Sequence, residues 1–247
     1  MYYIGVDLGT SAVKLLLMEG NGKICNIVSN EYPLSFPQPG WSEQKPEDWW
    51  NAVVDGIKKL INGFDASEVA GISFGGQMHG LVMLDKDNKV IRKSIIWCDQ
   101  RTGKEVVEIT EKVGHDRLIA ITANPAITGF TAAKIMWVKN NEPENYEKCR
   151  HILLPKDYIR FMLTGEFATE VSDASGMQLL DIPGRCWSDE VLTKLGIDKS
   201  LLAKVYESPE ITGTITKAVA QATGLKEGTP VVGGAGDNAA AAVGTGV

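Results

Sequence analysis

The sequence predicts an α/β domain built on a mixed β-sheet flanked by helices. Three observations predict it. Residues 2–34 read as three strands separated by turn signals, residues from Pro46 onward take up helical spacing, and beyond them short strand-like runs alternate with helical ones.

The first strand, YYIGVDL (2–8), runs into the turn Gly9-Thr10-Ser11. Residues 12–18 read as a second strand, and Glu19-Gly20-Asn21-Gly22 is a strong turn signal. Residues 23–34 give a third strand, closed by the proline-bearing loop FPQPGW. Consecutive strands joined by tight turns make an antiparallel meander. A helix then starts at Pro46, with Glu47 and Asp48 where the helix dipole favours acids. Trp49, Val53, Ile57 and Leu60 or Ile61 give it one inward face, and Gly63 ends it.

VAGISFGG (69–76) is a short buried strand, LVMLD-KDNK-VIR (81–92) a hairpin and SIIW (94–97) another short strand. From Gln100 to about Gly165 the pattern is mainly helical. It includes TAAKIMWVKNNEP, which stops at Pro143, a short strand over 151–155, and PKDYIRFMLTG, closed by Gly165. Helices at 187–196, 216–224 and 238–243 and a strand in TPVVGG complete the domain.

The composition, 44% hydrophobic and 23% charged, is that of a folded globular chain and excludes bulk disorder. With 25 basic against 31 acidic residues the net charge is −6, which argues against a nucleic acid as partner. A small phosphate ligand stays open, because a few backbone N–H groups can hold one without net positive charge. Cys25, Cys98, Cys149 and Cys186 form no CxxC pair, so they read as free thiols in a reducing compartment. The start MYYIGVDLGTS has no leader-like features and no run reaches the apolar length of a membrane span. A soluble cytoplasmic protein with no membrane partner is expected.

Four motifs carry candidate chemistry. Asp7-Leu8-Gly9-Thr10-Ser11 places a carboxylate at a strand end beside a flexible turn. Gly9, Thr10 and Ser11 can offer N–H and hydroxyl donors to phosphate oxygens, and Asp7 can hold Mg²⁺ through water. A hairpin whose Asp caps its own turn fits the same residues. Gly233-Gly234-Ala235-Gly236-Asp237-Asn238 follows an apolar strand and precedes an alanine-rich helix; Asp237 there is either a base toward a hydroxyl nucleophile or a helix cap. Gly75-Gly76-Gln77-Met78-His79-Gly80 sets polar groups at a strand exit, suited to sugar hydroxyls or to a plain surface turn. Trp97-Cys98-Asp99-Gln100-Arg101 offers an aromatic for the C–H face of a sugar, or simply a buried Trp.

In this order, DLGTS, SFGGQMHG, WCDQRT and GGAGDN resemble the FGGY family of carbohydrate kinases, within the actin, hexokinase and heat-shock chaperone superfamily. GFTAAKIMWVKNN (129–141) is similar to that family's first sequence pattern, Lys134 and Trp137 included. QMHG, WCDQRT, ITANPAITGFT, LPKDYIRFMLTGE and TEVSDASGMQLLD resemble the members that act on D-xylulose.

The resemblance implies a ribonuclease-H-like domain, the amino-terminal sugar-binding half of a two-domain enzyme using ATP and Mg²⁺. It implies Asp237 as catalytic base and Asp7 as the residue that helps place Mg²⁺ and the transferred phosphate. Gly9, Thr10 and Ser11 would lie near the phosphates, and Met78, His79, Asp237, Asn238, Trp97 and Asp99 near the sugar. Asp173 would hold a loop together, while helix packing and a surface ion pair would account for Lys134 and Trp137. A carboxy-terminal nucleotide domain is not found within residues 1–247, so weak sugar binding, poor ATP binding and little turnover are expected of the chain by itself. A homodimer stays open. Kinases of ribulose, glycerol or gluconate, and a non-catalytic sugar-binding module, are the alternatives.

Overall fold

Alternation along the first strand decides which way the sheet faces. In β1 (Tyr2–Leu8), Ile4, Val6 and Leu8 are buried, while Asp7 between the last two is exposed. In β2 (Ala12–Glu19) the same alternation buries Val13, Leu15 and Leu17 and exposes Lys14. Successive side chains of a strand point to opposite faces. One face of the sheet is therefore apolar and the other carries Asp7 and Lys14, which stand opposite each other in register.

β3 (Ile24–Glu31) completes the antiparallel meander, followed by the two-residue strand β4 (Glu43–Gln44), helix α1 (Pro46–Leu60) and β5 (Val69–Gly76). The computed structural model describes residues Met1–Val247. Its main sheet has six strands in the order Ile211–Thr214, Pro230–Val232, β5, β1, β2, β3. β5 runs parallel to β1 and to Pro230–Val232, and Ile211–Thr214 is antiparallel to the latter. This is the mixed sheet flanked by helices that the sequence predicts.

Helix α1 covers the apolar face. Trp49, Val53, Ile57 and Leu60 are fully buried as the helix packs across β2 and β3, each contributing roughly 1.5–3 kcal/mol of burial. Gly56 lets the helix approach, since a Cβ there would lie 2.4 Å from Leu15 Cδ1. The helix ends at Ile61, two residues before Gly63, whose φ of +86° suits glycine.

A second apolar core lies under the helices α2 (Gly103–Val113), α3 (His115–Thr122) and α4 (Thr131–Asn141), which are followed by α5 (Pro143–Lys148) and α6 (Pro155–Thr164). α4 gives this core Ile135, Met136, Trp137 and Val138, while α6 gives the sheet core Tyr158, Ile159, Phe161 and Leu163. The hairpin expected over 81–92 is short but formed: Asp85 N–H donates to the Lys89 carbonyl, Leu84 bridges to Val90 and Ile91 N–H donates to the Met83 carbonyl. Along its other edge Val82–Leu84 pairs with His151–Leu153, a partner the sequence does not announce. The last helix, Asp237–Thr245, comes to the face of the sheet that α1 leaves open and packs closely there: a Cβ on Gly75 would lie 3.3 Å from that of Ala240.

Candidate active site

The open face of the sheet and the last helix bound a cleft. Asp7, Lys14, Gly75, Asp237, Ala240 and Ala241 are among its lining residues. Asp7 has neither a hydrogen bond nor an ion pair to any side chain, so its carboxylate is left for something else. Partial loss of water pushes this carboxyl above its ordinary range; Lys14 pulls it part of the way back and the charge of Asp237 adds to the rise.

The turn after Asp7 is held from behind. Gly9 N–H donates to the carbonyl of Ala12 at 3.1 Å, and a Cβ on Gly9 would sit 2.9 Å from that oxygen, so only glycine fits. The carbonyl of Gly9 accepts from Tyr32 Oη and from Gln77 Nε2, and that of Thr10 accepts from Gln44 Nε2 at 2.7 Å. Trp97 Nε1 donates to Thr10 Oγ1 at 2.9 Å. The turn's carbonyls are thus engaged inside, while the N–H groups of Thr10 and Ser11 have no protein acceptor. That is a small anion cradle beside a free carboxylate.

Asp237 opens the last helix and is exposed; its Oδ1 accepts from the N–H of Asn238 at 2.7 Å. Asn238 is exposed beside it. The loop before it is tightly placed. Gly234 has φ +76°, and a Cβ there would fall 2.5 Å from the carbonyl oxygen of Phe74. A Cβ on Gly236 would meet Met78 Sδ at 2.7 Å, which puts Met78 against the residue just before Asp237.

His79 has φ +67°, in the left-handed region where a non-glycine residue is strained. Its carbonyl accepts from Thr131 Oγ1 at 3.1 Å and from Lys134 Nζ at 2.8 Å, and its ring tilts against Phe130. Nδ1 lies 2.9 Å from the carbonyl oxygen of Gly176. A carbonyl can only accept, so Nδ1 carries the proton and Nε2 of the neutral ring is an acceptor. Burial lowers the pKa of this histidine, against the Gly176 hydrogen bond, and so favours the neutral form.

The structure therefore brings Asp7, the Gly9–Ser11 turn, Met78, His79, Asp237 and Asn238 to one region. Trp97 is 46% exposed rather than buried and ties its motif to the Thr10 hydroxyl.

Asp99 departs from the expected sugar contact. It is fully buried, accepts from the N–H of Ser42 at 2.6 Å and is gripped by Arg101 through Nε and Nη2. Arg101 in turn lies over the Trp41 ring at 3.7 Å. Both Asp99 oxygens are thus occupied by the scaffold and none is left for a sugar. Lys134 is corrected as well. It is fully buried and donates to the carbonyls of His79 and Gly129 rather than forming a surface ion pair. Trp137 does pack in the helical core, edge-on to Trp41.

Residues that sequence reasoning passed over hold the site from below. Gln44 and Tyr32 support the Gly9–Ser11 turn. Arg160, Glu170, Ser172 and Ser208 support the Asp237 loop. The local signal for Asp173, the stretch VSDASG, marked the right segment, and its partners Lys156 and Glu170 lie on other elements.

Asp7 near the end of β1 and Asp237 just beyond Pro230–Val232, two strands that both run parallel to β5, thus face one cleft of a mixed α/β sheet. Residues 2–244 match the model of the amino-terminal domain of the FGGY family of carbohydrate kinases, and the chain belongs to that family. It is 45% identical over 248 residues to the xylulose kinase of Bacillus subtilis (strain 168), covering 100% of this chain and 50% of the relative. The solved structure of xylulose kinase from Rhodospirillum rubrum matches with a TM-score of 0.96 at 28% identity, over 100% of this chain and 51% of that one. That of gluconate kinase from Lactobacillus acidophilus matches with a TM-score of 0.90 at 30% identity, over 96% of this chain and 48% of that one. The chain spans about half the length of the curated relatives it matches. No helix is long and apolar enough to cross a membrane.

Proposed function

We propose that this chain is the sugar-binding half of an ATP-dependent kinase that phosphorylates D-xylulose. The reaction is ATP plus D-xylulose giving ADP, D-xylulose 5-phosphate and a proton. One observation carries the reading: two carboxylates from distant parts of the chain, Asp7 and Asp237, line one cleft, with Met78 and His79 beside the second.

In this reading Asp237 takes the proton from the terminal hydroxyl as the oxygen attacks phosphorus, and the bond between the γ-phosphorus and the β–γ bridging oxygen breaks in line. A loose phosphoryl-transfer transition state needs positioning more than strong deprotonation, so an exposed carboxylate at a helix start is adequate. Neutral His79 accepts a sugar hydroxyl at Nε2, and Met78, Asn238 and Trp97 complete the contact surface. The N–H groups of Thr10 and Ser11, with the Gly9 turn, receive phosphate oxygens.

Mg²⁺ fits this site in one specific way. No group of three or more His, Cys, Asp or Glu side chains is placed to cage a metal. A single free carboxylate, Asp7, beside phosphate donors suits an ion that keeps its waters and binds mainly to substrate phosphates. Asp7 would be the residue that holds Mg²⁺, through its waters, and the ion would supply charge neutralisation to those phosphates; most of the acceleration comes from orientation and preorganised charge.

Gluconate is the second reading, favoured by the similarity to the gluconate kinase of Lactobacillus acidophilus. Steady-state kinetics on the full-length enzyme with D-xylulose, D-ribulose, glycerol and gluconate separate the two. In the same assay Asp237→Asn is expected to lose roughly 3–5 kcal/mol of transition-state stabilisation, mostly in kcat. A near-normal kcat in that variant would remove Asp237 from the chemistry.

A further inference from the structure

Asp237 is held by its backbone alone. The only recorded partner of its carboxylate is the N–H of the next residue, so the loop 233–236 decides where the base stands. In that loop four successive N–H groups have four separate acceptors: Glu210 O for Gly233, Ser208 O for Gly234, Phe74 O for Ala235 and Ser172 Oγ for Gly236. Two of these acceptors belong to serines that report to one side chain. Ser172 Oγ donates to Glu170 Oε1 at 2.9 Å, and Ser208 Oγ donates to Glu170 Oε2 at 2.7 Å.

Glu170 is itself fully buried and 3.2 Å from Lys156 Nζ, which also pairs with Asp157 at 3.0 Å and Asp173 at 3.2 Å. Arg160, one turn along α6 from Lys156, pairs with Asp157 at 2.6 Å and donates to the carbonyl of Gly233, the first residue of the loop. The ion cluster thus grips both ends of the loop: Gly233 through Arg160, and Gly236 through Glu170 and Ser172.

All five charged groups are at most 1% exposed. Desolvating that many charges is costly, and apolar side chains of similar volume commonly give equal or better stability. Stability alone is therefore a poor reason for the cluster, and geometric specificity is a better one. We propose that the buried cluster of Lys156, Asp157, Arg160 and Glu170, acting through Ser172, is a positioning device that fixes the Asp237 carboxylate for proton transfer. The proposal rests on the reading of Asp237 as the base. Ser172 and Glu170 are positioning residues, since they act on the loop and not on substrate.

The test uses the full-length enzyme with Ser172→Ala, Ser172→Thr, Asp237→Asn and the double variant Ser172→Ala/Asp237→Asn. Misplacing a catalytic group by about 1 Å can cost on the order of 100-fold. Ser172→Ala is expected to lower kcat at least ~10-fold with the sugar KM within about threefold, and Ser172→Thr, which keeps the hydroxyl, to recover most of kcat. The double variant is expected to be no slower than Asp237→Asn, because the two changes act on one function. Amide hydrogen exchange gives a readout independent of turnover: Ser172→Ala should speed exchange at Gly236 and Asp237 with little effect on β1 or α1. An unchanged kcat in Ser172→Ala, fully additive losses, or unchanged exchange in the loop would each overturn the positioning role. A fully active Asp237→Asn would instead overturn the base assignment on which it rests.

Discussion

His79 and Gly176 fit each other as donor and acceptor and as shape. The histidine Nδ1 lies 2.9 Å from the glycine carbonyl, and a Cβ on Gly176 would fall 2.4 Å from the imidazole. The ring can occupy its place only while residue 176 has no side chain. Gly176→Ala is therefore expected to push the imidazole out and weaken sugar binding at least ~10-fold, about the value of one good hydrogen bond to a fixed acceptor. The fold should survive, because the displaced group borders a cleft. Calorimetric titration and a thermal melt check both halves; unchanged affinity would remove His79 from the sugar site.

Lys134 sits fully buried without a carboxylate in contact and holds the His79 carbonyl. Burial lowers its pKa to about 7 from 10.5, with nearby Asp99 acting in the other direction. The sign follows. Between about pH 7 and 10.5 the unfolded chain holds this proton and the folded chain does not, so folding is penalised below pH 7 and relieved as pH rises through that window. Wild-type stability should rise relative to Lys134→Met between pH 7 and pH 10. Urea midpoints at the two pH values check this, and a flat difference would mean that burial does not depress the pKa of this amine.

Asp173 shows the opposite sign. Burial pushes its carboxyl up to about 7 from 3.8; Lys156 opposes this, and Asp157 and Glu170 add to it. With all five groups ionised the cluster carries one excess negative charge, which protonating Asp173 removes. Between about pH 4 and 7 the folded chain holds the proton and the unfolded chain has lost it, so wild-type stability falls as pH rises through that window. Asp173→Asn cannot titrate and should gain on wild type from pH 4 to 7. A difference independent of pH would contradict the protonated form.

The frame of the fold was legible because it is written in local periods. Alternation in YYIGVDL both makes β1 a strand and turns Asp7 away from Val6 and Leu8. The spacing of Trp49, Val53, Ile57 and Leu60 gives α1 and its buried face. What was missed depends on contacts between distant segments. Nothing local tells Val82–Leu84 to pair along its other edge with His151–Leu153.

The same division runs through the candidate site. The glycines beside Asp7, His79 and Asp237 mark places where the backbone turns or packs closely, and that is visible in sequence. The fate of Asp99 is not, because it is set by Arg101 stacked on Trp41 and by the N–H of Ser42. Nor is the burial of Lys134, whose partners are backbone carbonyls that any residue could supply. Buried polar groups must be satisfied by whatever the tertiary fold brings near, and a one-dimensional pattern does not record it.

A D-xylulose site that includes Asp237 is what the proposed function requires of this chain. Isothermal titration of the purified chain with D-xylulose measures it, with D-ribulose, glycerol and gluconate as controls and Asp237→Ala alongside. Heat on adding D-xylulose is expected, with at least ~10-fold weaker binding of the controls and loss of most affinity in Asp237→Ala. Equal binding of gluconate, or undiminished xylulose binding in Asp237→Ala, would contradict it.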